Sequence, residues 1–504
     1  MAGNYLLPIF HQNSYLCIRQ MRDWWQNIYD GLAKMPMAMV VAPFAMGIFV
    51  AERVDTPLWV LFLTLAVMLL GVLLSKGWQQ IVFIVCMLAI AGSTLHHLSL
   101  DTEPQYDVPY DLELEVERPT VPHEKYSSTE VVITDCSLPS LVGRYLVVWG
   151  STEQRFSEGD RLRLEAPIKA FREERRLYAE QMYHRGFIGS ITLYPNSLYE
   201  FCATEKRTLH DVVVERLGSL LEFGEERAVI MAMAVGHNEE ISLSQRQQYS
   251  ASGVSHLMAV SGLHVGIAFL LINLLLAPLA ALHFGNIWRA VVAIILIWLY
   301  VVMCGTSPSA VRAAIMFSAL QLSTISTREY VSENTLFATA LVMLAFDTHL
   351  LFNLSFMLSV IAVAGILYWA MPIYRSLRSG VWLLNSVLIS LLVGVMTTIA
   401  TAPLVAHYFG IVSFVGIIIT PIVLLFANII IFASLMALVV PLHFVADIAE
   451  WAARVQNAIV AWAAELPAGH LHISLSEGQV WGIYALFVVL TLIFSAKSVK
   501  KEDI

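Results

Sequence analysis

Ile411-Val-Ser-Phe-Val-Gly-Ile-Ile-Ile-Thr-Pro-Ile-Val-Leu-Leu-Phe-Ala-Asn-Ile-Ile-Ile-Phe-Ala-Ser-Leu-Met-Ala-Leu-Val-Val440 carries no charged residue over 30 positions. As one continuous helix it would reach about 45 Å at about 1.5 Å per residue, beyond the roughly 30 Å of a bilayer's hydrocarbon core, and Pro421 lies inside it. The stretch is therefore expected to form two shorter or broken membrane segments. The rest of the chain agrees in class: of 504 residues, 58% are hydrophobic and 14% charged, against about 25% charged in an average globular protein. From Val229 to Ala496 there are 7 basic and 9 acidic residues, whereas Asp101 to His210 holds 13 basic and 19 acidic. This composition describes a polytopic α-helical membrane protein with one polar domain and excludes a soluble cytosolic enzyme. The five cysteines fit neither a disulfide-dense scaffold nor a paired-CxxC zinc site.

Further apolar stretches run roughly over 36–51, 57–75, 80–98, 256–281, 287–304, 308–326, 333–346, 351–371, 381–403 and 479–496. With 411–440 counted as two, the expectation is about 12 transmembrane passes. Residues 1–35, with Arg19, Arg22 and Lys34, read as a cytoplasmic segment, since no signal-peptide core precedes Pro36. Positive-inside counting places Lys76, Arg289, Arg328, Arg375, Arg378 and the tail 497–504, with Lys497, Lys500 and Lys501, on the cytoplasmic side. Residues after His97, and the segment 441–478, then lie outside. The division is three helices over 36–98, an extracytoplasmic domain over 104–205, a linker over 206–254 and a polytopic body over 255–496, in the cytoplasmic (inner) membrane.

The extracytoplasmic domain reads as all-β. In Tyr110-Asp-Leu-Glu-Leu-Glu-Val-Glu117 apolar and acidic residues alternate with the period of a half-buried strand. Glu130 to Asp135, Arg144 to Trp149, Arg161 to Glu165 and Ile188 to Tyr194 are similar, with Gly159-Asp160 as a turn. Five short strands suit a small OB-like barrel or, equally, a short sandwich. Cys136 and Cys202 both fall in this segment, where disulfides persist, and are expected to pair. Beyond it, Val212, Val213, Leu217, Leu220 and Leu221 follow helical spacing, with Glu and Arg on the other face. That pattern predicts an amphipathic linker lying on the membrane.

Chemistry concentrates in two places. Ser255-His-Leu-Met-Ala-Val-Ser-Gly-Leu-His-Val-Gly266 puts His256, Ser261, Gly262 and His264 at the start of an apolar span, and polar groups in a membrane usually face a partner or a pathway. Three readings stay open: GxxxG packing through Gly262 and Gly266, a Ser261/His264 intramembrane hydrolase, and a transport path lined by a helix broken at Ser261-Gly262. His256 and His264 would lie about 12 Å apart on a continuous helix, so no metal site is assigned. The second stretch is Gly305-Thr-Ser-Pro-Ser-Ala-Val-Arg-Ala-Ala314. Pro308 suits a first helical turn, Ser307 or Ser309 a cap, and Arg312 either snorkels to headgroups or offers fixed charge to a passing anion.

These stretches, with Asp347-Thr-His-Leu-Leu-Phe-Asn-Leu-Ser-Phe-Met-Leu-Ser359 and Thr401-Ala-Pro-Leu-Val-Ala-His-Tyr-Phe-Gly410, resemble the ComEC family of DNA-uptake competence channels. Gly159-Asp-Arg-Leu-Arg-Leu and Tyr183-His-Arg-Gly-Phe-Ile resemble that family's extracytoplasmic OB domain. The resemblance implies a channel for one DNA strand into the cytoplasm during natural transformation. Its path would take in His256, Ser261, Gly262, His264, Ser307, Ser309, Arg312 and Ser355. The metallo-β-lactamase-like domain that ends many family members is not expected here: His470-Leu-His472 has no following Asp-His and reads as an exposed loop. A separate nuclease and a cytoplasmic translocation ATPase are then expected partners, beside membrane lipid. No catalytic residue, metal or cofactor is assigned.

Between Arg161 and Arg185 the charge balance turns basic. Arg161, Arg163, Lys169, Arg172, Arg175, Arg176 and Arg185 interleave with Phe171, Tyr178 and Tyr183, the composition of a strip that tracks a phosphate backbone and stacks bases. Neighbouring Glu residues could instead pair with those arginines. The rival to a DNA channel is a transporter of another anionic polymer or solute.

Overall fold

The computed structural model describes residues 36–99, 104–123, 125–172, 176–194, 197–203, 209–258, 260–325, 331–413, 415–440, 442–466 and 470–502. The segment 1–35, Arg175 and Arg328 lie outside the described residues. The first helices are α1 (Pro36–Ala51), α2 (Leu58–Leu74) and α3 (Trp78–Ser99). The backbones of α1 and α3 nearly touch: a Cβ on Gly47 would sit 1.8 Å from the Ala89 carbonyl oxygen, and one on Gly92 2.2 Å from that of Phe44. Glycine there does what small residues do between membrane helices. Leu73 and Leu74 of α2 are exposed, as an apolar lipid-facing surface requires.

The polar segment folds as a separate small sheet domain. Its strands are β1 (Pro109–Pro122), β2 (Ser127–Cys136), β3 (Tyr145–Gly150), β4 (Arg161–Pro167), β5 (Phe187–Thr192) and β6 (Glu200–Cys202), with helix α4 (Arg176–His184) between β4 and β5. Sheet order is β5-β3-β2-β1-β4-β6; β5 runs parallel to β3 and every other pair is antiparallel. The alternation in β1 sends Leu112, Leu114 and Val116 into the core, against Ile133, Leu146 and Leu162. The edge strand β6 has no such alternation, and the sequence did not announce it. The expected disulfide does not form. Cys136 stands opposite Leu112 on β1 and Cys202 opposite Arg161 on β4, so two strands at about 4.8 Å spacing intervene and exceed a disulfide's reach; both thiols are free.

The linker differs from expectation. It forms α5 (Leu209–Gly218), α6 (Glu225–Val235) and α7 (Leu243–Ala251). Every residue of α6 from Ala228 to Val235 is buried. A helix apolar all round belongs in an interior, and α6 packs there against α14 and α15, defined below. The Tyr300 hydroxyl donates to its Ala234 carbonyl at 3.1 Å.

The remaining helices are α8 (Gly262–Leu275), α9 (Gly285–Met303), α10 (Pro308–Ser323), α11 (Ser332–Phe346), α12 (Leu354–Leu377, with a π turn at Ile366–Ala370), α13 (Trp382–Phe409), α14 (Val415–Val439), α15 (His443–Ala464) and α16 (Glu477–Glu502). Five of the described helices are long and apolar enough to cross a membrane: α3, α9, α12, α14 and the Leu384–Phe409 part of α13. Shorter apolar helices accompany them.

One expectation is corrected here. Residues 415–439 form a single helix through Pro421 rather than two segments. Pro421, half-buried, packs over Gly394 of α13, and packing against neighbouring helices tolerates the lost backbone bond. The chain turns instead after α14, and α15 returns along it. The two-stranded sheet of β7 (Ile411–Ser413) and β8 (His470–His472) ties the start of α14 to the chain just beyond α15. His470-Leu-His472 is thus a paired strand and not a loop.

Candidate nucleic-acid path

The broken entry to α8 is present. Ser255–Met258 forms a 3-10 turn, and α8 starts only at Gly262 behind Ser261 in extended conformation. Fourteen residues rise about 21 Å, short of a bilayer core. The non-helical lead contributes Ser252, Val254, Leu257 and Val260 to the interior, the setting in which irregular backbone at membrane depth is tolerated. The Ser261 N–H donates to His264 Nδ1 at 3.4 Å. That bond places the proton of a neutral imidazole on Nε2, and His264 Nε2 is buried without a partner. His256 is exposed.

The turn after α9 places Gly305 and Thr306 at positive φ, 83° and 49°; glycine suits the first, and the second is costly for a β-branched residue. The Ser307 hydroxyl then accepts the Ala310 N–H at 3.3 Å, capping α10 with Pro308 in its first turn, and donates to the Val260 carbonyl at 3.2 Å. One side chain thus starts α10 and fixes the broken lead of α8.

Arg312 lies in the second turn of α10 and is 3% exposed. Its Nη2 donates to the Ser359 hydroxyl on α12, and Ser359 lies 3.4 Å from the Ser309 hydroxyl. Arg312 Nε and Nη1 have no partner, and no carboxylate pairs with the guanidinium among the described residues. Ser355, one turn before Ser359, is exposed on the same stripe of α12. Asn353 caps α12 through the Ser355 and Phe356 amides. Arg312 is therefore buried rather than snorkelling, held between α10 and α12 beside the hydroxyls of Ser309 and Ser359. Ser359 went unassigned in the sequence, because only the fold brings it to Arg312.

His264 does not join Arg312 and its serines. Gly262 faces Ala313 and Gly266 faces Phe317 across the contact of α8 with α10. His264 is two residues from each glycine, about 200° round the helix, and so points away from α10. The two groups therefore point to different sides of the α8–α10 contact. The GxxxG reading of Gly262 and Gly266 holds for the contact itself, where Phe269 and Phe317 stack at 4.7 Å.

The basic strip on the sheet domain is largely paired. Arg161 bonds Glu115 at 3.0 Å, Arg163 bonds Asp111 at 3.4 Å, Arg176 bonds Glu180 at 2.7 Å, and Arg185 bonds Glu130 at 2.7 Å while lying over Phe187. Lys169 and Arg172 have no ion pair among the described residues. The Lys169 backbone bridges Ser190. Phe171 is buried with the edges of Tyr178 and Tyr183 against it, at 6.0 and 5.4 Å, so the two tyrosines present the accessible ring surface.

A second junction escaped the sequence reading entirely. Gln181 on α4 donates from Nε2 to the Phe352 carbonyl at 2.9 Å and to the Tyr408 hydroxyl at 3.3 Å, while its Oε1 accepts the Leu354 N–H at 2.8 Å. The helix of the basic strip is thus pinned to the first residue of α12. A polar residue among others on α4 gives no local sign of such a contact.

The competence protein family model matches residues 233–500. An uncharacterized protein of Aquifex aeolicus (strain VF5) is 28% identical over 219 residues, 43% of this chain and 49% of its own length. ComE operon protein 3 of Bacillus subtilis (strain 168) is 25% identical over 189 residues, 38% of this chain and 23% of that protein. The chain therefore matches about half or less of the length of these relatives. No solved structure matches. The family match takes in the broken lead of α8, Arg312 with its serines and the pinned start of α12, and the chain belongs to the competence protein family.

Proposed function

We propose that this membrane protein passes a single DNA strand into the cytoplasm during transformation, receiving it on the sheet domain and guiding its phosphates past Arg312. The observation that carries the reading is Arg312 itself. Among the described residues its Nε and Nη1 are buried without an acceptor and no carboxylate pairs with it, and a planar multi-donor group suits phosphate oxygens. His264 Nε2 lacks an acceptor too. Membership of the competence family, and the name of the Bacillus relative, support DNA as the cargo.

The sheet domain is read as OB-like. Its five main strands, with β5 parallel to β3 and bridged to Lys169 beyond β4, approach a closed barrel of the kind that binds single strands. Lys169 and Arg172, with the exposed ring faces of Tyr178 and Tyr183, would supply its contacts, and Arg161, Arg163, Arg176 and Arg185 exchange weak exposed ion pairs for phosphates.

Twelve passes follow when α15 takes the place of the supposed second half of 411–440: α1 to α3 and α8 to α16. Alternate helix ends then meet at two levels. Arg53 with Glu477, His96 with Thr348 and Gln181 with Tyr408 meet at the sheet-domain end, while Met37 with Asn334 and Asn273 with Arg289 meet at the other. Arg289, Arg375 and Arg378 fall at that second, cytoplasmic level. A separate nuclease and a translocation ATPase complete the proposed uptake system.

Transport of another phosphate-bearing polymer would use the same guanidinium. The hydrolase reading gains nothing, because the Ser261 amide rather than its hydroxyl meets His264. Uptake of labelled single-stranded product in a deletion strain, restored by this chain, tests the proposal; normal uptake without the protein overturns it.

A further inference from the structure

Helix α4 sits on the membrane body through two kinds of contact. Gln181 makes the three hydrogen bonds already described. One turn on, His184 stacks on Phe352 with centroids 4.8 Å apart and planes at 25°, and its Nε2 lies 3.9 Å from Glu52 Oε1. Glu52 follows α1 and is shared: its other oxygen accepts from His96 Nε2 at 2.8 Å. His96 Nδ1 meets the Thr348 hydroxyl at 2.9 Å, and its ring lies 5.1 Å from that of His349. Two histidines thus meet one carboxylate, with the His349 ring beside both of theirs, where the sheet domain meets α1, α3 and the turn before α12.

We propose that α4 is a detachable clasp holding the sheet domain over the ends of α12 and α13, and that acidifying the Glu52–His184 seat releases it. The idea does not depend on what passes Arg312.

The sign follows from burial. Against Phe352, His184 is pushed below the usual histidine range by desolvation, with the His349 and His96 charges in the same direction; Glu52 and Glu180 oppose and are outweighed. Burial alone would raise the Glu52 carboxyl, but the His96 hydrogen bond and the charges of His184, His96 and His349 hold it below its ordinary value. Glu52 therefore stays ionised through the histidine range. A histidine that binds its proton more weakly when docked is protonated preferentially when free. The closed clasp is favoured above pH of about 6.5 and is lost as pH falls below it. The remaining charged neighbours are paired or distant: Arg176 bonds Glu180, Arg53 bonds Glu477, and Asp347 caps the His349 amide.

Hydrogen–deuterium exchange of the full chain in lipid nanodiscs, at about pH 7.5 and about pH 5.5 with times scaled for intrinsic rate, reads the clasp directly. Peptides covering α4 and residues 352–356 should exchange at least about fivefold faster at the lower pH. His184→Phe keeps a ring on Phe352 without a titrating group and should stay protected at both values. Gln181→Ala should exchange fast at both, while β1 and β2 stay protected in every variant as the folding control. Equal protection of the wild type at both pH values, or acid opening of His184→Phe like the wild type, overturns the proposal. So does a Gln181→Ala protein as protected as the wild type.

Discussion

Arg312 of α10 and Ser359 of α12 are joined by a hydrogen bond from Nη2 to a hydroxyl, and this is the guanidinium's one side-chain partner among the described residues. The pair fixes a charge in the interior and leaves Nε and Nη1 open to an acceptor. Removing the hydroxyl should loosen that aim while keeping the charge. A hydrogen bond to a buried charge is worth about 1.5–3 kcal/mol, so Ser359→Ala should lower uptake by roughly tenfold at unchanged protein level. Quantifying internalised labelled DNA against membrane-extracted protein checks it.

The α1–α3 contact should fail by crowding. A Cβ at Gly92 would meet the Phe44 carbonyl oxygen at 2.2 Å, and neither backbone can give way locally. Gly92→Val should force the helices apart at a cost of about 1–3 kcal/mol or more, seen as loss of protein from membranes and a lower midpoint in a thermal solubility assay.

With α14 and α15 each taken as a pass, as proposed, the topology changes from the sequence expectation at one place. Because β7 pairs with β8, the chain near Leu442 lies at the end opposite the sheet domain. A reporter fused after Leu442 should give a cytoplasmic signal, and one in the β1–β2 turn near Lys125 an external one. An external signal at Leu442 would return 411–440 to two crossings.

Cysteine chemistry separates the two thiols once expected to pair. Cys202 is exposed and Cys136 buried, both free. A membrane-impermeant maleimide should label Cys202 without reductant, and Cys136 should react only after denaturation. Mass spectrometry of the labelled peptides decides it, since a disulfide would leave both unreactive until reduced.

Much of this architecture is legible in local pattern, and the misses share a cause. Alternation in 110–117 gives β1 and its buried face because strand periodicity is a property of the segment alone. The α6 core escaped because Glu225, Glu226 and Arg227 precede its apolar run and suggest a surface helix. Helix α15 escaped because Asp447, Glu450 and Arg454 break its hydropathy, although Ala446, Ala449, Ala453 and Val460 mark one buried face. Arg312 stood out in sequence, but Ser359 and Gln181 acquire meaning only from partners 47 and 173 residues away. The split between Arg312 and His264 likewise depends on which face of each helix meets the other.

The most direct test of the account is Arg312→Ala in cells competent for DNA uptake, with Arg312→Lys beside it. Lysine keeps the charge but not the planar fork of donors. At wild-type protein level and with surface DNA binding intact, internalised single-stranded DNA should fall at least about a hundredfold for alanine, the loss of about two to three kcal/mol, and be only partly restored by lysine. Arg312→Ala protein that accumulates normally and takes up DNA at the wild-type rate would contradict the account.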